Sequence, residues 1–110
     1  MVRVCLTIVS RGSEASSAVV ALRHSMVQAQ KTRGCVRCQL SADLTDPDVL
    51  HYVEEWASEP DLRSGIRAER LLRLIAAIES ATAQPEFSIE FFTRSAGLDY
   101  IEDVLRSAEV

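Results

Sequence analysis

Residues 35–57, CVRCQLSADLTDPDVLHYVEEWA, decide how this chain folds. From Cys35 to Leu44, the residues Val36, Cys38, Leu40 and Ala42 alternate with Cys35, Arg37, Gln39 and Ser41. That two-residue period predicts a strand with two distinct faces. Thr45-Asp46-Pro47-Asp48 supplies turn chemistry. Val49 to Ala57 then returns to β-branched and aromatic residues, so the stretch reads as an antiparallel hairpin.

On the N-terminal side, Gly34 is suited to the left-handed conformation that ends a helix. From Glu14 to Arg33, the apolar residues Ala15, Val19, Leu22, Met26 and Ala29 recur in steps of four and three. This spacing predicts an amphipathic helix with Ser13 as its N-cap. Before it, Val2 to Val9 reads as a strand. On the C-terminal side, Ser58-Glu59-Pro60-Asp61 has the cap serine, early proline and acidic residue of a helix start. That short helix reaches Ser64, and Gly65 predicts a bend. The segment Ala68 to Ala81 follows as a helix with Leu71, Leu72, Leu74, Ile75 and Ile78 as its buried stripe. Glu86 to Arg94 is a fourth strand with Phe87, Ile89 and Phe91 on one face. Gly97 breaks the chain before a helical tail, 98–110, carrying Leu98, Ile101 and Leu105.

The order is βαββαβ, the ferredoxin-like plan of an α+β protein. With helices on one face of an antiparallel sheet, the other face must be polar or meet a partner. Cys5, Thr7, Val9, Arg37, Gln39, Glu90 and Phe92 fall on that second face, a mixture too apolar for solvent and too polar for a dry core. A homodimer formed sheet to sheet, or a polar ligand cavity, accommodates it.

The 110 residues suffice for a single domain with one core. Hydrophobic residues make up 47% and charged residues 25%, the balance of a globular protein. A net charge of −4 gives no positive field for phosphate backbones or anionic lipid, so neither nucleic acid nor membrane is an expected partner. The N-terminus runs directly into strand pattern without the apolar core of a signal peptide. Three cysteines, an odd number, fit free thiols and a cytoplasmic location.

Arg33-Gly34-Cys35-Val36-Arg37, Asp46-Pro47, Glu54-Glu55-Trp56-Ala57-Ser58-Glu59 and Leu62 occur in one order along nearly the whole chain. In that order the chain resembles the antibiotic-biosynthesis-monooxygenase family. The resemblance implies a dimeric α+β barrel. For some members it also implies oxygenation of aromatic polyketides or quinols without metal, flavin or haem. Other members degrade haem, isomerise small metabolites or have no known activity. Many relatives carry histidines at positions where this chain has Gly65 and Glu69. The asparagine of the haem-degrading branch is also missing, since Cys5 and Thr7 stand near its place, which disfavours haem degradation.

Trp56, Tyr52 and Glu54 share one side of the third strand by the two-residue period. An indole beside a phenol could hold a planar aromatic substrate, and a carboxylate in an apolar cavity could accept a phenolic proton. The plainer alternative is that Trp56 packs the core and Glu54 pairs with an arginine. His24, which could reach a cleft between helix and sheet, carries an imidazole, a side-chain type suited to proton transfer, and Arg37 is a further charged candidate. Both are also compatible with exposed surface positions. Cys35 and Cys38 form C-x-x-C, but strand alternation places residues three apart on opposite faces. With only His24 and His51 available, a zinc site is not expected. Arg63, Arg67, Arg70 and Arg73 recur at helical steps, and Glu69 can pair with Arg73, which reads as a solvated face or as steering for an anionic substrate.

The expected activity is therefore cofactor-independent oxygenation of a planar phenol or quinol by molecular oxygen. The substrate supplies the electrons, and the protein supplies a dry pocket and favours the phenolate. The alternatives are a dimeric ligand-binding or interaction module without catalysis, and a small-metabolite isomerase.

Overall fold

The computed structural model describes residues 1–12, 14–66, 68–79, 81, 83–94 and 96–108, and of residues 14, 15, 68, 69, 71 and 108 only the backbone. Its elements are β1 (Val2–Val9), α1 (Glu14–Gln30), β2 (Cys35–Ala42), β3 (Val49–Trp56), α2 (Glu59–Gly65), α3 (Ala68–Glu79), β4 (Glu86–Phe91) and α4 (Leu98–Ala108). The strands form one antiparallel sheet in the order β2-β3-β1-β4. This is the ferredoxin-like arrangement expected from βαββαβ, with the second helical region split in two.

β1 sets the inner face of the sheet. Val2, Val4, Leu6 and Ile8 are buried and lie opposite Trp56, Glu54, Tyr52 and Leu50 of β3. α1 closes over them with Ala18, Leu22, Ser25 and Ala29, all fully buried at helical spacing. The alternate residues form the outer face. Arg37, Glu55, Arg3 and Glu90 make one lateral row across the four strands, and Gln39, Val53, Cys5 and Ser88 make the next. The outer face thus has the mixed character that its sequence predicts.

The β2–β3 turn is held as its composition implies. The Asp48 N–H donates to Asp46 Oδ1 at 3.0 Å, and the Val49 N–H to the Asp46 carbonyl at 3.0 Å. Arg11 reaches over to bind both Asp48 (2.7 Å) and Asp46 (3.2 Å). At the start of α2, the Asp61 N–H donates to Ser58 Oγ at 3.2 Å, and Pro60 occupies the first turn. The expected cap of α1, Ser13, lies outside the described residues. Gly34 has φ of +92°, the left-handed conformation, and a Cβ there would collide with the Asp61 side chain.

β2 ends at Ala42 and β4 at Phe91 rather than at Leu44 and Arg94, and three further details differ from the sequence reading. α1 ends at Gln30 rather than Arg33, where Thr32 folds back so that its hydroxyl donates to the Gln28 carbonyl at 2.8 Å. A bulge between Cys35 and Arg37 inserts Val36 as an extra residue, leaving it 57% exposed instead of on the inner face. The stripe of α3 is also rotated. Leu72 and Ile75 are exposed, Arg70 and Ala77 are buried, and Leu74 and Ile78 pack against the core. The side chain of Leu71 is outside the description. The rotation follows from Arg70, which is drawn inward by a buried partner.

β4 pairs with β1 at the edge of the sheet and is only partly covered, with Phe87, Ile89 and Phe91 53%, 40% and 60% exposed. α4 carries Leu98, Ile101, Val104 and Leu105 with more than half of their surface open. The radius of gyration is 16.8 Å, against about 13 Å for a compact domain of this length.

Gly65, at the α2–α3 bend, lies against the six-membered edge of Trp56, and a Cβ there would overlap the ring. Gly65→Ala therefore overpacks the core and should lower stability by about 1–3 kcal/mol. Urea unfolding followed by circular dichroism checks this, and an unchanged midpoint would contradict the packing described.

Candidate functional site

The two-residue period of β3 turns Tyr52, Glu54 and Trp56 toward the helices, and all three are buried. Tyr52 Oη donates to Glu54 Oε2 at 2.6 Å, and Trp56 Nε1 donates to Oε1 at 3.0 Å. A carboxylate in this position is tolerable only with a counter-charge. Arg70 of α3 provides it, 4% exposed, with Nη1 donating to Glu54 Oε2 and Nη2 to Oε1 at 3.2 Å. The guanidinium also donates from Nε to the Gly65 carbonyl (3.0 Å) and from Nη1 to Ser25 Oγ (3.1 Å). It stands 5.7 Å from the centre of the Trp56 ring. Ser25 completes the circuit with a 2.9 Å hydrogen bond to Tyr52 Oη.

Each oxygen of Glu54 accepts two hydrogen bonds, so its acceptor capacity is full. Burial and the Glu54 carboxylate raise the Tyr52 pKa well above the phenolic range, which keeps the hydroxyl protonated. Burial works against the charge of Arg70, but its hydrogen bonds and ion pair with Glu54 outweigh that and raise its pKa. Burial also pushes the neighbouring Cys38 thiol up to about 12.

The other two candidates lie elsewhere. Arg37 is on the outer face, opposite Glu55 in register and 2.5 Å from its carboxylate, which Arg3 also approaches at 3.9 Å. His24 is exposed on α1, in a shallow groove with Val20, Arg23 and Val27. Neither reaches the buried cluster. The bulge at Val36 changes the C-x-x-C geometry as well. Cys35 lies opposite Trp56 and Cys38 opposite Glu54, so both turn inward rather than to opposite faces. Both remain free thiols, and burial raises the pKa of Cys35 too, which makes them poor nucleophiles.

Sequence reasoning misses two members of the cluster. Helical spacing groups Arg70 with Arg63 and Arg73 on a solvated face, whereas the structure buries it; the expected Glu69–Arg73 pair and Arg67 lie outside the described side chains. The signal for Arg70 is Glu54 itself, since a carboxylate on the apolar face of a central strand requires a cation. Ser25 falls on the 18-22-25-29 spacing but is polar, so it does not count toward an apolar stripe.

Two clefts reach this cluster, both at Arg70. One, of about 70 Å³, lies between α3 and β4, with Leu62, Leu74, Phe87 and Ile89 as apolar walls and Glu54 and Arg70 at its end. The other, of about 440 Å³, lies where the end of α1 faces the α2–α3 bend, and touches Gly65 and Arg70. Among the described residues no group of three His, Cys, Asp or Glu side chains is placed to hold a metal ion. Nor is any helix there long and apolar enough to cross a membrane.

Removing one partner of such a pair leaves a buried charge alone. Arg70→Met should cost about 3–5 kcal/mol, and Glu54→Gln in the same chain should restore part of the loss. Urea unfolding of both single variants and the double variant measures the coupling, and additive losses would contradict the pairing.

No family model and no curated protein sequence matches this chain. Solved structures do. A candidate antibiotic biosynthesis monooxygenase from Deinococcus radiodurans superposes with a TM-score of 0.75 at 16% identity, over 88% of this chain and 97% of that one. Another from Nitrosomonas europaea gives 0.72 at 14% identity, over 86% and 100%. A point mutant of SnoaB, a cofactor-independent oxygenase from Streptomyces nogalater, gives 0.69 at 14% identity, over 86% and 94%. At these identities the likeness speaks for the fold. The chain is thus an α+β domain with the fold of antibiotic-biosynthesis-monooxygenase-type proteins.

Proposed function

We propose that this protein is a cofactor-independent monooxygenase acting on a planar phenol or quinol with molecular oxygen. The observation that carries the reading is the Glu54–Arg70–Tyr52 cluster, a buried set of charged and phenolic groups at the closed end of an apolar cleft. SnoaB, which shares the fold, is a cofactor-independent oxygenase. The cleft itself is small, but Phe87 and Ile89 on its β4 wall, with Phe91 next along that strand, offer exposed apolar surface to a flat ring.

A substrate oxygen at the end of the cleft meets Arg70, whose charge favours the phenolate over the phenol. Tyr52 can turn its proton from Glu54 to Ser25, 2.9 Å away, which frees a lone pair on Glu54 Oε2 to accept the substrate proton. The ionised ring then gives electrons to oxygen. For an anthrone, the reacting CH₂ loses two hydrogens and gains one oxygen as C=O, and the second oxygen leaves as water. The surrounding side chains exclude bulk water from this step. Trp56, whose ring is fully buried, positions Glu54 through its N–H rather than stacking on substrate.

The saturation of Glu54 favours a second reading, a ligand-binding module without catalysis. Oxygen-electrode measurements with an anthrone and naphthol panel separate the two. The first reading expects uptake of one oxygen per anthrone, slowed about 100-fold or more in Glu54→Gln, with Tyr52→Phe as a second near-isosteric variant. Uptake no faster than in buffer alone, or unaffected by both variants, leaves the module.

The protein is further proposed to act as a homodimer in the cytoplasm, where its three thiols stay reduced. A second copy of the chain is the occupant that fits, because one chain leaves exposed the mixed outer sheet face and, separately, the apolar inner-face residues of β4 and the apolar side of α4. The extended shape agrees with surfaces meant for another copy. Sedimentation equilibrium at micromolar concentration should give twice the 12.2 kDa chain mass, and a monomer would overturn the assembly.

A further inference from the structure

Resting on the homodimer reading given above, we infer that the two copies meet outer face to outer face about a two-fold axis parallel to the strands, between β1 and β3, and that a self-complementary row of charges selects this axis. Arg37, Glu55, Arg3 and Glu90 cross the four strands in the order plus, minus, plus, minus. From the other edge of the sheet the same row runs minus, plus, minus, plus. An axis along the strands turns the sheet over and exchanges its edges. Arg37 then faces the partner's Glu90, and Arg3 faces the partner's Glu55. Each contact occurs twice, as an isologous interface requires, so one row yields four pairs of opposite charge. Aligned sheets pack about 10 Å apart, a gap that arginine and glutamate side chains from the two sides can span.

A single chain leaves this row incompletely satisfied. Glu55 is held by Arg37 at 2.5 Å, but Arg3 only approaches it, at 3.9 Å. Arg3 Nε is buried with no hydrogen-bond partner among the described residues. Glu90 is exposed and pairs with no cation among them, its one polar contact being the Cys5 thiol at 3.6 Å. The remaining rows tolerate the same axis. Val53 falls over the partner's Cys5, Glu86 over the partner's Ser41 and His51 over the partner's Thr7, so no like charges meet. A two-fold axis perpendicular to the strands lays each strand on its own copy. Centred on the Val53–Cys5 row, it sets Glu90 against the partner's Glu86, and centred on the charged row it sets every charge against itself. Like charges juxtaposed across an interface suppress that docking.

Sedimentation equilibrium of the intact chain and of two charge reversals reads the pairing. Arg37→Glu and Glu90→Arg each place like charges in two symmetry-related pairs, and each alone should raise the dimer dissociation constant about tenfold or more. Mixed in equal amounts, the two variants regain both pairs, and the mixture should return to within about threefold of the wild-type constant. Repulsion within a chain, from Glu55 beside one substitution or Arg3 beside the other, is the same before and after mixing, so recovery reports contacts between chains alone. Glu86→Arg, opposite the partner's Ser41, should change the constant less than about twofold. Both reversed side chains are exposed, so the variants should keep their circular dichroism spectra; Arg37→Gln and Glu90→Gln, which remove the charges without reversing them, should weaken the dimer less but in the same direction. A wild-type dimer indifferent to these changes, or a mixture no tighter than its components, would overturn the axis and leave the dimer standing. Tighter association of Glu86→Arg would favour the perpendicular axis and overturn it as well. A monomeric wild type would remove the dimer and the axis together.

Discussion

A carboxylate placed on the inner face of a central strand imposes conditions on everything around it. Glu54 lies between Val4 of β1 and Cys38 of β2 in register, where neighbouring positions are apolar. Left alone, its charge would be too costly to bury. The structure answers with Arg70 from α3, Tyr52 and Trp56 from the same strand, and Ser25 from α1. The rotation of α3, the polar residue inside α1 and the close approach of Gly65 to Trp56 all follow from that arrangement. A set of apolar residues of the same volume could hold the layers together as well or better, so the retention of ionic groups agrees with a role in handling charge.

The site has an asymmetric environment. Toward β4 the ion pair meets apolar side chains, and toward the end of α1 it meets a polar cleft whose two cations, Lys31 and Arg33, have no carboxylate partner among the described residues. Arg70 forms the partition between them, fixed at both ends by Glu54 and the Gly65 carbonyl. The fold shared with SnoaB and its structural neighbours hosts several chemistries, and the local chemistry of the site is what distinguishes among them.

The element order was legible in the sequence because each signal there was local. The hairpin alternation, the Ser58 cap and the left-handed Gly34 each depend on a few adjacent residues, and each recurs in the structure. The grouping of Tyr52, Glu54 and Trp56 was legible for the same reason, being a matter of strand period. What escaped was long-range. The bulge at Val36 reverses the facing of Cys35 without a proline or glycine to mark it. Leu72 and Ile75 look like core residues by periodicity, yet the burial of Arg70 turns them outward. Arg37 and His24 carry suitable chemistry, but neither hydropathy nor spacing tells which surface they occupy until the sheet and α1 are docked.

The span of the ion-pair network along the chain has a kinetic consequence. Glu54 and Arg70 are 16 residues apart, and Ser25 is 45 residues from Arg70. Docking α1 on the sheet without α3 would enclose an anion lacking its cation, and docking α3 first would strand the cation. Partly assembled forms are therefore penalised relative to both the unfolded chain and the finished structure. The hairpin and the two helices should gain protection from hydrogen exchange together, in a single cooperative unit, with β4 and α4 free to open below that threshold.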